Sequence, residues 1–186
     1  MMRLFIALPL TRQVEDELGR LKILLEQKGG QVKWVAPKNI HLTVRFLGDT
    51  DERLVPQIIE KMDAVSARFQ PVDTVIDGLG GFPTISRPRF IWVGIGREVE
   101  TLSELAAQME RGMQQLGFER EKKGFKSHLT LGRVRRPQGL DQLVDFLKEY
   151  RLEPIPIQFD RLCLFKSTLT PSGPIYERLH EAALGG

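Results

Sequence analysis

Apolar residues recur along this chain with two periods. Val14, Leu18, Leu21 and Leu25 are spaced by three and four, which predicts a helix opened by Thr11 as N-cap and stopped at Gly29-Gly30. The same spacing through Leu54, Ile58, Met62 and Val65 predicts a second helix over 51–69. Amphipathic stretches over 98–116 and 140–150 predict two more. Alternation or short apolar runs predict strands over 3–8, 31–35, 72–79, 89–95 and 125–134, one opening at His41 and closing at Gly48-Asp49, and a long one over 155–165. Pro37-Lys38-Asn39 reads as a turn and Gly80-Gly81-Phe82-Pro83 as a loop. The tail over 167–184 is ambiguous. Its Tyr176, Arg178, His180 alternation suits a strand, while its composition allows a helix. The order of elements predicts an α+β fold with antiparallel pairing and no interdomain linker.

Two of the predicted strands share a motif. His41-Leu42-Thr43-Val44 is echoed by His128-Leu129-Thr130-Leu131, and these use two of only three histidines in the chain. Residues two apart on a strand share a face, roughly 7 Å apart. Each copy therefore shows an imidazole and a hydroxyl on one side and two apolar residues on the other. Two such strands facing each other would surround a small anion with two proton-transfer groups and two hydroxyl donors, with no metal required. Either histidine alone is equally compatible with a half-buried strand residue; the pair, each with its threonine, points to chemistry. No carboxylate lies within either tetrapeptide and no histidine pair has helical spacing, so a metal site fits poorly.

Bulk properties narrow the setting. At 186 residues the chain suits one substantial domain or two small lobes with a shared core, and 41% hydrophobic with 27% charged residues is ordinary for a soluble globular protein. It has no membrane-length apolar run and no signal-peptide pattern. The lone Cys163, in the apolar context Leu162-Cys163-Leu164-Phe165, reads as a buried filler in a reducing cytoplasm. A net charge of +3 permits a phosphate-bearing partner without requiring one.

With these residues in view, the chain resembles the two-histidine phosphoesterases, and most closely their bacterial and archaeal branch, the 2′-5′ RNA ligases or RNA 2′,3′-cyclic phosphodiesterases. The likeness runs through Arg3–Leu8, the eight residues from His41 to Gly48, Gly81-Phe82-Pro83, Ile91-Trp92-Val93-Gly94 and Gly173-Pro174-Ile175-Tyr176. Ser127 departs from the proline that members often carry there. The resemblance implies two pseudo-symmetric α/β lobes, with antiparallel sheets lining a central cleft and helices outside, forming a single bilobal domain over 1–186. It implies hydrolysis of RNA 2′,3′-cyclic phosphate ends to 2′-phosphomonoesters without metal or cofactor, with His41 as general acid and His128 as general base. A monomer acting on RNA in the cytoplasm is expected.

The residues support a division of labour independently. Two imidazoles with ordinary pKa near 6.5 can give and take a proton at neutral pH. Thr43 and Thr130 would hold non-bridging phosphate oxygens. Lys126, two residues before His128, is expected on the same strand face, where its charge keeps His128 neutral; the matching Asn39 before His41 is uncharged. Arg45, expected on the face of His41 and Thr43, and Lys126, expected on that of His128 and Thr130, are candidates to hold a flanking phosphate. Arg133, in the basic run Arg133-Val134-Arg135-Arg136, is a candidate for the RNA backbone. Phe82 and Tyr176, with Trp34 and Phe125, are candidates for stacking a base. His180 lacks the pattern and reads as a surface or structural residue. Two alternatives stand beside hydrolysis: 2′-5′ ligation as the reverse reaction, for which no phosphate-binding loop for ATP is present, and a noncatalytic RNA-binding module.

Overall fold

A computed structural model describes all 186 residues. The elements are β1 (Met2–Pro9), α1 (Arg12–Glu26), β2 (Val32–Trp34), β3 (His41–Thr50), α2 (Val55–Ser66), β4 (Val72–Thr84), β5 (Arg87–Ile95), α3 (Val99–Gln115), β6 (His128–Val134), α4 (Asp141–Glu149), β7 (Ile155–Phe159), β8 (Arg161–Thr170) and β9 (Gly173–Ala183). The strands form two antiparallel sheets, one in the order β3-β1-β8-β9 and the other β2-β6-β5-β4-β7. The predicted helices form where the apolar spacing places them. Thr11 caps α1 by accepting from the Val14 amide, and Val14, Leu18, Leu21 and Leu25 are all buried. Helix α2 packs on β8, β9 and α3, and α3 also touches β3; α1 meets β7 and α4 meets β4. One apolar cluster takes residues from both sheets and all four helices. No helix is long and apolar enough to cross a membrane.

Two sequence expectations are corrected and one open reading is decided. The stretch over 80–83 is not a loop: β4 continues to Thr84 and pairs with β5 through Phe82↔Phe90. Glycines there still read as turn residues in sequence, but Gly80 is needed because the Trp92 ring occupies the place of its Cβ, within 2.3 Å. The predicted long strand over 155–165 is two strands in different sheets, β7 on the edge beside β4 and β8 between β1 and β9, divided at Asp160. The tail is the strand β9, which forms a hairpin with β8. His180 joins that strand to α2 through Asp63, with its Nε2 2.7 Å from Oδ1. Cys163 is fully buried, and burial pushes its thiol up to about 11, so it is not a nucleophile.

Candidate active site

One motif strand, β3, is the edge of its sheet, and the other, β6, lies between β5 and the short β2. β3 pairs with β1 and β6 with β5, and β3 and β6 approach one another between the sheets with Cα atoms within 8 Å. Leu42 and Leu129 are fully buried, each contributing roughly 1.5–3 kcal/mol. A one-residue slip would expose them, so the core fixes His41, Thr43, His128 and Thr130 on the opposite, accessible face.

Both strands carry a bulge at the same motif position. On β3, Thr43 pairs with Ala7 and Arg45 with Ile6, leaving Val44 as the extra residue. On β6, Thr130 pairs with Trp92 and Gly132 with Ile91, leaving Leu131 extra. Beyond each bulge the alternation inverts. Val44 and Arg45 are both buried, and so are Leu131 and Gly132. This overturns the expected placement of Arg45 beside His41. Arg45 is 6% exposed and points to the helix side. Its Nε lies 2.6 Å from Glu110 Oε2 on α3, an ion pair whose angle is poor for a hydrogen bond. Its Nη1 reaches Glu121, and its guanidinium donates to the Phe46 and Glu119 carbonyls. Arg45 thus ties the first motif strand to the segment leading into the second. The accessible position after the first bulge is Phe46, 56% exposed; after the second it is Arg133, whose guanidinium lies over the Phe90 ring.

The two imidazoles sit in different surroundings. His41 is half-buried. It stacks on Phe5 with ring centroids 4.7 Å apart and meets Tyr176 edge-on at 5.4 Å, with Phe165 beyond at 6.2 Å. Its Nδ1 is 2.8 Å from the Asn39 carbonyl. A carbonyl only accepts, so Nδ1 carries the proton and Nε2 faces the site with a lone pair in the neutral form. Burial lowers the His41 pKa from 6.5 to about 4, opposed by the Asn39 carbonyl, which favours the charged ring.

His128 is exposed and lies flat on Trp92, centroids 4.0 Å apart and planes within 1°. Partial burial and then the Lys126 charge lower its pKa. Lys126 therefore acts on His128 in the expected direction, although it precedes β6 rather than belonging to it. Its ammonium sits 4.3 Å from the centre of the Phe82 ring. The missing cation does not leave His41 with an ordinary pKa, because burial lowers it.

The predicted residues thus divide. His41, Thr43 and Tyr176 gather on one sheet; His128, Thr130, Phe82 and Arg133 on the other, with Lys126 just before β6. Trp34 and Phe125 are half-buried against the core, and Arg45 is removed to the far side. Four neighbours of the imidazoles, Phe5, Asn39, Trp92 and Phe165, have no site role in the sequence reading. Trp92 does carry a signal: it interrupts the buried Ile91 and Val93 on β5 and faces Gly80 across the strand pair, so its ring has room only on the accessible face. No group of three or more histidine, cysteine or acidic side chains comes together as a metal-ligand set.

Comparison with known proteins places this geometry. The profile of the LigT-like phosphoesterase family matches residues 8–92 and again 93–176, one motif in each half. An RNA 2′,3′-cyclic phosphodiesterase of Archaeoglobus fulgidus is 36% identical over 96% of this chain and 98% of its own. The Thermotoga maritima protein of the same name is 32% identical over 100% and 97%. The crystal structure of a Thermus thermophilus protein, TT0787, superposes with a TM-score of 0.81 over 100% of this chain and 99% of that one, at 27% identity.

Proposed function

The chain belongs to the LigT-like phosphoesterase family, and from that premise we propose that it opens 2′,3′-cyclic phosphate ends of RNA to 2′-phosphomonoesters, without a metal. The observation that carries the reading is the pair of bulged strands, each setting a histidine and a threonine on its accessible face, on two strands that approach one another between the sheets. The names of relatives at 32–36% identity over nearly the whole chain support the same substrate.

In this reading His128 takes a proton from water as the oxygen attacks phosphorus. The bond from phosphorus to the ribose 3′-oxygen breaks, and His41 Nε2 delivers a proton to that oxygen. One water is consumed, and the phosphate stays on the 2′-oxygen. Thr43 and Thr130 donate to the non-bridging oxygens, where charge gathers. Each imidazole contributes on the order of 10²–10⁴ in rate.

His41 is neutral in the free protein at pH 7, so its role as acid depends on the substrate. The diester anion at Nε2 and the Asn39 carbonyl at Nδ1 both favour the imidazolium, and the anion acts most strongly where water is scarce. His128 has Lys126 beside it, which opposes protonation. The division of roles thus rests on what each ring meets at its second nitrogen and its flank. Exchange of His128 or His41 for alanine, assayed on RNA ending in a 2′,3′-cyclic phosphate, tests it. Loss of turnover in both supports the reading, and near-full activity in both refutes it.

A further inference from the structure

A cavity of about 440 Å³ opens at His41, which forms part of its lining. Its walls include Phe165, Ile175 and Tyr176, and Lys38 and Arg178 stand in its lining. The walls are braced: the Asn39 amide donates to the Pro174 carbonyl, 3.3 Å away, while the Asn39 carbonyl holds His41. Arg178 lies over the Phe165 ring, 5.9 Å from its centre, and pairs with Glu181. Ile175 is 61% exposed, an apolar side chain presented to solvent at the cavity mouth.

We infer that this cavity binds the nucleotide upstream of the RNA end, so that the enzyme selects a chain terminus over a free cyclic mononucleotide. The inference rests on the cyclic phosphodiesterase reading with His41 as acid. Displacement at phosphorus runs in line, with the attacking water and the leaving oxygen on opposite sides. Water held by His128 therefore puts the ribose on the His41 side. The 5′ linkage of that ribose continues away from phosphorus, toward the cavity that His41 itself lines. Aromatic and apolar walls suit a base, and Lys38 with Arg178 complements the linking phosphodiester. Glu15, the one carboxylate in the lining, can accept from an amino or hydroxyl group of the nucleoside.

The test compares adenosine 2′,3′-cyclic phosphate with a diadenosine ending in the same group. Stacking one further base is worth roughly five- to a hundredfold, so kcat/KM for the dinucleotide is expected to exceed that for the mononucleotide by about tenfold or more, mainly through KM. Ile175→Asp and Lys38→Glu change exposed side chains and should bring that ratio toward unity. Equal efficiency on both substrates in the wild type, or a ratio that neither variant changes, would overturn the subsite. If the wild type opens neither substrate, the underlying reading falls and takes the subsite with it.

Discussion

The two half-sites share a backbone and differ in almost everything around the imidazole. In each motif strand histidine and threonine share a face by alternation, and a bulge at the fourth motif residue inverts the faces beyond it. His41 is enclosed by Phe5, Phe165 and Tyr176 and fixed through Nδ1, whereas His128 lies open on Trp92 with a lysine at its flank. A symmetric scaffold thus carries an asymmetric acid–base pair. The asymmetry comes from the neighbouring strands: Ala7 faces Thr43 where Trp92 faces Thr130. It also comes from the residue that follows each bulge, a buried cation on one side and a buried glycine on the other. Gly132 has no room for a side chain, since Trp34 and Val32 lie within 2.8 Å of where its Cβ would be.

The largest effect expected is on turnover. His41→Ala and His128→Ala should each lower kcat by at least about 10², with RNA affinity within a few-fold, and the double variant should be little worse than either single. Additive losses would mean that the two halves act independently.

Thr43→Val and Thr130→Val should differ from each other. Thr43 is half-buried and Thr130 exposed, so the first should cost about 10² in kcat and the second about 10, because a donor in a drier setting is worth more. Equal losses would show that bound substrate erases the difference between the two halves.

Arg45→Met tests the tie between them. Breaking a buried ion pair costs about 3–5 kcal/mol; Glu110 and Glu121 keep 21% and 30% of their side chains exposed, which puts this change near the low end. A loss of about 3 kcal/mol should lower Tm by roughly 6–12 °C at this chain length. A variant with unchanged Tm would show that the tie is dispensable.

The pH profile should show the smallest effect. Both imidazoles have pKa values below 6.5, and the optimum of a bell-shaped kcat/KM profile is the mean of its two limbs. It should therefore lie below pH 6.5. Lys126→Ala removes a charge that disfavours imidazolium, raises the His128 pKa, and should move the optimum to higher pH.

Much of this site was legible in the sequence because alternation survives where the core is firm. Leu42 and Leu129 announce the buried face, and their neighbours follow from it. The bulges were not legible: nothing in Thr43-Val44-Arg45 marks an extra residue, and without it Arg45 falls beside His41. Lengths and ends were blurred where apolar residues run on across a change of sheet. Over 155–165 the buried positions change phase, from Ile157 and Phe159 to Leu162, Cys163 and Leu164. That phase change at Asp160 was the available sign of two strands. The His41 pKa was hidden for another reason, since its burial is supplied by Phe5, Phe165 and Tyr176 from three other strands.

The most direct measurement is phosphorus NMR of an RNA ending in 2′,3′-cyclic phosphate, incubated with the wild-type protein in excess EDTA. The account predicts complete conversion to the 2′-phosphomonoester at a rate that chelation leaves unchanged. A 3′-phosphate product, or activity that disappears with EDTA and returns with a divalent metal, would contradict it.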